Sequence, residues 1–509
     1  MEIDPRALSP KEAYRLLTAL LILQIGAIHA SAASPPLAAF VERGMELWNV
    51  PGMAVTVVSS DSVIFQQGFG KTGIRDGVAV DEHTLFSNAS TTKAMVAAGM
   101  LMLVDESRLD LDDLVIDHLP ELHFQDPLLN RQVTVRDLLA HRTGLPRTDF
   151  WTFMQGMPLE DQIRRLASVK PAAPLRARHI YQNTMYEIAG LIIERLTGQR
   201  WDRFLSERLW RPVGMSETFG ARGQIPPGLA HVVPHNFTDG ELSLAEWDLP
   251  ADEPDAAGSV WSSIHDMGLW AQFLLRGGIT ADGERLLSES SYAEMFRPQS
   301  LIAEDDFYPT VRLTEPHWRS YGLGWFQQDF QGRKIEFHTG SLQGLIAIIG
   351  LDLAGDRAVV VFGNRDHAEM RHAVLWEVMD QRPADARTDW NQAVYDLYQD
   401  QVYETEAQWE ERRAGRLADT RPGLPLEAYA GRYDSPILGE VTVVAADGRL
   451  TLKTARVGFS MSHWHLDTFL LEYQPWALRE FAEFHVAPDA TVTGMKLFGD
   501  TLVRIGEKD

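Results

Sequence analysis

The alternation of apolar and polar positions divides the chain into a long mixed region and a short all-β one. Met53 to Val58 is a β-rich run opened by Pro51-Gly52, and Ser62 to Gly70 has the pattern of its hairpin partner. Helical periodicity follows over Lys93–Val104 and Tyr186–Leu196, the second ended by Gly198. Strand patterns return at Ile346–Ile349 and Ala358–Phe362. Strands at both ends with helices between them predict an α+β unit over 37–390 whose sheet joins the two ends of the unit. A polar helix over Glu404–Arg416 and the turn Arg421-Pro422-Gly423 predict a linker over 391–425. Beyond it come short alternating runs at Gly439–Val444, Leu450–Lys453, Phe469–Leu471 and Thr491–Phe498. Asp447-Gly448 between two of these runs is a hairpin turn, so 426–509 reads as a small antiparallel β domain.

Composition narrows the function classes. With 509 residues the chain exceeds the size of one core, and 45% hydrophobic with 23% charged residues is an ordinary globular balance. A net charge of −24 repels phosphate backbones and anionic lipid, which argues against nucleic-acid partners. The absence of cysteine excludes disulfides, thiol nucleophiles and zinc–thiolate sites. Residues 1–36 carry Lys11 and Arg15 before an apolar stretch from Leu16 to Ala30, then the small residues Ala30-Ser31-Ala32. This pattern predicts a signal-like segment and export to the periplasm, with a packed amphipathic helix and a cytoplasmic protein as the alternative. The stretch is too short, and too interrupted by Gln24, to predict stable membrane insertion.

The candidate chemistry centres on Ser90-Thr91-Thr92-Lys93. Positions i and i+3 share a helix face, so the lysine amine reaches the serine oxygen one turn away. A serine in the first turn also feels the positive end of the helix dipole, which favours a developing alkoxide. By itself the pair is weak, because chance alone predicts about 0.4 Ser-x-x-Lys pairs in this composition.

The surrounding segments change that. Upstream stand Val50-Pro51-Gly52, Gln67-Gly68-Phe69-Gly70 and Asp81 to Phe86. Downstream stand Leu138-Leu139-Ala140-His141-Arg142-Thr143-Gly144-Leu145, Tyr181-Gln182-Asn183, Ala257-Gly258-Ser259, Tyr321-Gly322-Leu323-Gly324 and His338-Thr339-Gly340-Ser341. Their order resembles that of the β-lactamase-related serine hydrolases, the group of class C β-lactamases, D-aminopeptidases and D-Ala-D-Ala carboxypeptidases. The resemblance implies the penicillin-recognising fold, an antiparallel sheet flanked by helices with a helical lobe. Residues 426–509, entered through Tyr429-Ala430-Gly431-Arg432-Tyr433, resemble the lipocalin-like β domain appended to some relatives.

The same resemblance implies an acyl-enzyme on Ser90 with Lys93 and Tyr181 as its proton-transfer partners. Neither Tyr nor Lys is a base at neutral pH at its ordinary value, but packing them together favours the phenolate and the free amine. Tyr181 is expected to act as base, with Lys93 sharing the proton and Asn183 orienting Lys93 and the substrate amide. The oxyanion is expected at the amides of Ser90 and Ser341, the latter just beyond Gly340. His338 stands where dedicated β-lactamases usually carry lysine and is expected to face the substrate. A histidine there favours a peptidase, then an amidase, then an esterase. A β-lactamase and a catalytically silent penicillin-binding relative remain alternatives. The expected partner is a small molecule or short peptide, the reaction requires no cofactor, and the oligomeric state is left open. His231 and His235 flank Pro234 and read as loop residues, and His463 and His465 read as β-domain histidines on one strand face, so no metal site is expected.

Overall fold

The computed structural model describes residues 34–245, 252–473 and 478–506. The signal-like segment, apart from its last three residues, lies outside them. None of the helices among the described residues is long and apolar enough to cross a membrane.

An eight-stranded antiparallel sheet organises the first unit. Its order is Val63–Gly70, Gly52–Val58, Arg357–Gly363, Leu345–Asp352, Arg333–Leu342, Phe326–Phe330, Arg319–Tyr321 and Ser300–Leu301. The early strand Gly52–Val58 pairs with the late strand Arg357–Gly363, Val55 opposite Val361, so the sheet closes the ends of the unit as the pattern predicts. Gly52–Val58 is buried along its whole length, which explains its continuous rather than alternating apolar run. Helices Ser34–Trp48 and Met370–Met379 cover one face through Phe40, Val374 and Trp376. Ile264–Leu275 and Thr92–Asp105 belong to the core on the other face, which continues into the helical lobe.

The polar helix expected over 404–416 is the second half of a longer one, Trp390–Ala414. Its first turns bury Trp390 and Val394 in the core of the first unit, and the Trp409 ring lies 5.4 Å from that of Phe481 of the C-terminal domain, tilted to it. That domain is a closed eight-stranded antiparallel barrel running from Gly431 to Ile505. Asp447 and Gly448 both take positive φ (50° and 72°), the geometry of the tight hairpin turn that their sequence predicts. Side chains such as Tyr433, Leu452, Phe459, Leu471 and Met495 form its buried core.

Candidate active site

Ser90 lies on a single helical turn, Ala89–Thr91, that runs directly into Thr92–Asp105. The turn is fixed from both sides: Asn88 N–H donates to the Val260 carbonyl (2.8 Å) and Ala89 N–H to Ser87 Oγ (3.1 Å). Ala89 itself sits at φ 45°, a strained conformation for a residue with a Cβ, immediately before the serine. The Ser90 hydroxyl opens into a cavity of about 480 Å³ walled partly by Phe153, Tyr308 and Phe326.

Lys93 is fully buried, with Nζ 3.1 Å from Ser90 Oγ. It donates to Asn183 Oδ1 (2.7 Å) and to the Ala257 carbonyl (2.6 Å). Burial brings Lys93 down to about 7, against the opposing pull of Asp255, Asp149 and Glu187. A neutral amine has two N–H bonds, and two acceptors are present for them. The nitrogen lone pair is then left for the serine hydroxyl.

Tyr181 places its ring 4.9 Å from Lys93 Nζ. Its hydroxyl is buried without a hydrogen bond of ordinary geometry. Burial raises it well above the usual phenol range, and the neighbouring Ser90 hydroxyl only partly offsets this. The phenolate expected from the sequence is therefore disfavoured by desolvation, and Tyr181 keeps its proton at neutral pH. His141, at φ 52°, braces this residue from both sides. Its carbonyl accepts from Ile180 N–H (2.9 Å) and its Nδ1 from Gln182 N–H (3.1 Å).

Asn183 begins the helix Asn183–Thr197, and its Nδ2 donates to Asp149 Oδ1 at 2.9 Å. That bond fixes the amide so that Oδ1 faces Lys93. Glu187, one turn further along the same helix, and Asp255 are carboxylates raised mainly by burial. Sequence reasoning missed Asp149, Asp255 and Glu187, although Glu187 lies at i+4 from Asn183 and so shares its helix face.

The strand Arg333–Leu342 crosses in front of the Ser90 turn. A Cβ on Gly340 would stand 2.4 Å from the Asn88 carbonyl oxygen and 2.9 Å from the Ser90 nitrogen. Only glycine allows this approach, which sets the Ser341 segment beside the Ser90 amide. The buried Arg371 holds the strand there, donating to the Gly340 carbonyl and to Ser341 Oγ (2.9 Å). Its remaining nitrogens bind Glu369, at 3.0 Å from both Nε and Nη2.

His338 departs from expectation. Thr339 and Ser341 line the cavity, whereas His338 shares its strand side with Gly340, toward the Ser90 turn, and is buried there rather than lining the cavity. It is buried, donating from Nδ1 to the Thr339 carbonyl (2.7 Å) and accepting at Nε2 from the Tyr321 hydroxyl (3.0 Å). Burial, followed by the nearby Lys93, lowers it to about 3, so it is a neutral packing residue. The other histidine pairs are structural too. His235 bridges the Asn364 carbonyl (2.8 Å) and Ile74 N–H (3.1 Å), and a register shift separates His463 from His465. One trio capable of binding a metal, His83, Glu217 and His265, occurs among the described residues. It stands apart from the cavity lining, and Glu217 already pairs with His83 at 3.0 Å.

Comparison with known proteins gives the family and the fold. Residues 37–383 match the family described as Beta-lactamase, and 416–506 match a domain of unknown function, DUF3471. The unguisins hydrolase ungD of Aspergillus violaceofuscus is 30% identical over 460 residues, covering 81% of this chain and 76% of that protein. An octameric penicillin-binding protein homologue from Pyrococcus abyssi shares the fold at TM-score 0.60 and 18% identity, over 93% of this chain and all of that one. A D-stereospecific amidohydrolase from Streptomyces sp. superposes at TM-score 0.54 and 22% identity, over 68% of this chain and 99% of that one. With most of its first unit matched and hydrolases among its relatives, this chain belongs to the beta-lactamase family.

Proposed function

We propose that the protein is a serine hydrolase that cleaves amide bonds of peptides or aminoacyl amides through an acyl-enzyme on Ser90. The observation that carries this reading is the buried Lys93 amine, 3.1 Å from Ser90 Oγ and held near neutrality at about 7. Lys93 takes the hydroxyl proton as Ser90 attacks the carbonyl carbon. The amides of Ser90 and Ser341 receive the oxyanion. As the intermediate collapses, Tyr181 donates its proton to the departing amine and recovers one from Lys93. Water then enters, loses a proton to the same pair, and releases the acid.

The cavity argues for the substrate class. A β-lactam drug needs a cation for its carboxylate, but His338 is neutral and outside the cavity lining, and the Arg371 nitrogens are engaged by Glu369, Gly340 and Ser341. Arg147, at the rim, already pairs with Asp149. Aromatic walls and carboxylates suit a peptide segment with bulky apolar side chains and no free carboxylate at that point. The likeness to a D-stereospecific amidohydrolase supports the amide over the β-lactam. A hydrolysis screen tests this, over D- and L-aminoacyl amides, short linear and cyclic peptides, p-nitrophenyl esters and a chromogenic cephalosporin. Turnover is expected on amides or peptides at a kcat/KM above that on the cephalosporin. A cephalosporin as the best substrate would overturn the assignment.

A further inference from the structure

A short helix, Asp149–Phe153, and the two residues after it connect the site to the C-terminal barrel. Asp149 and Phe153 line the cavity, and Trp151 is buried in the catalytic core. Phe150 and Met154 point the other way. The Phe150 ring lies 5.6 Å from that of Phe498, tilted to it, and Met154 is buried within the barrel's own hydrophobic cluster. The Met154 carbonyl accepts from Arg456 N–H (3.1 Å) and from the Thr454 hydroxyl (2.7 Å). Gln155 donates from Nε2 to the carbonyls of Leu438 (3.0 Å) and Glu440 (2.8 Å), and its Oε1 accepts from Ala455 N–H (3.2 Å). Two barrel loops thus grip two consecutive residues, five and six positions beyond the aspartate that orients Asn183.

We infer that the barrel is a positioning element for the Asn183–Lys93 pair, acting through Met154 and Gln155 to hold Asp149 under Asn183. This rests on Lys93 serving as the base. A second tether supports it: Arg165, on the next helix, donates from Nε to the Pro436 carbonyl at 3.1 Å and pairs with Asp434. The barrel face therefore holds the chain at two points after Asp149, at Met154–Gln155 and at Arg165. Without that grip Asp149 and Arg147 would move, while the other groups around Lys93 stay on rigid elements. Those are Glu187 and Tyr186 on the Asn183 helix, Asp255 beside the Ala257 loop, His338 on its strand, and Tyr181 and His141.

The test uses the full chain carrying Gln155→Ala or Met154→Ala, with Asp149→Asn as reference and Leu471→Ala as control. Leu471 is buried in the barrel and makes no part of the grip. The carboxylate of Asp149 raises the Lys93 pKa, so Asp149→Asn moves the acidic limb of the kcat/KM profile to lower pH. Both grip variants are expected to lower kcat about tenfold or more, to shift that limb in the same direction, and to change KM less than threefold. Leu471→Ala should lose thermal stability and keep the wild-type profile. Grip variants that are less stable but retain wild-type kcat and pH limb would overturn the proposal, leaving the barrel a mere appendage. Gln155→Ala removes only a partly buried side chain, so it serves even if Met154→Ala does not fold. Failure of the underlying reading is separable, because it is visible in the wild-type protein as a profile with no inflection near 7.

Discussion

The floor of the Ser90 cavity and the interior of the C-terminal barrel are both closely packed, but they are filled with opposite kinds of atoms. Lys93, His141, Tyr181, Tyr186, Glu187, Asp255, Tyr321 and His338 pack within the first, their ionisable groups removed from solvent. The second holds Val441, Val443, Leu450, Leu452, Phe459, Leu471 and Leu502, with tyrosine hydroxyls at its edges bonded to neighbouring groups. Burying unpaired charge destabilises a fold, whereas burying aliphatic surface stabilises it by roughly 25 cal/mol per Å². The contrast teaches that the catalytic unit accepts a costly floor to hold an amine near neutrality. The barrel contributes packing and a rigid face.

Substitutions can break or sharpen that contrast. Ser90→Ala should leave the fold intact and abolish turnover on every substrate, because no other Ser-x-x-Lys pair exists in the chain. Residual kcat/KM above about a hundredth of wild type, a loss under ~3 kcal/mol, would exclude Ser90 as nucleophile. Lys93→Met and Tyr181→Phe should each slow acylation severely, and the double variant should be little worse than the worse single one. Groups that pass one proton act as a unit and are strongly non-additive, so fully additive losses in single-turnover rates would separate their roles.

In the barrel the expected effects move to stability. Leu471→Ala should cost about 2–5 kcal/mol in denaturant unfolding with an unchanged kcat/KM for the folded protein. Gly448→Ala places a side chain at φ 72° in open space. It should cost only about 1–2 kcal/mol of left-handed strain, seen as a small drop in Tm with no change in activity.

The parts legible in the sequence are those with local rules. The spacing of Ser90 and Lys93 sets them on one helix face, and Asp447-Gly448 announces its hairpin. Gly198 ends its helix at φ 73°. The cluster beneath Lys93 had no local signature, because Asp149, Glu187 and Asp255 come from three segments joined only by tertiary packing. Arg371 and its partner Glu369 were hidden for the same reason. His338 was expected at the cavity surface and lies beneath it. It shares its strand side with Gly340, toward the Ser90 turn, and is buried there against Tyr321 and Phe326, while Thr339 and Ser341 reach the cavity lining. For Tyr181, burial raises the hydroxyl well above the usual phenol range, a desolvation that no local pattern signals.

The central claim, a Ser90 nucleophile activated by a neutral Lys93, is tested most directly by the rate of covalent labelling with a fluorophosphonate across roughly pH 5.5–9, a range spanning neutrality and ending below the ordinary lysine value. Lys93 must lose its proton to accept one from Ser90, so the rate should rise with pH, reach half its maximum near 7, and leave the adduct on Ser90. Labelling on another residue, or a rate still climbing toward pH 9 as for an ordinary lysine, would contradict the account.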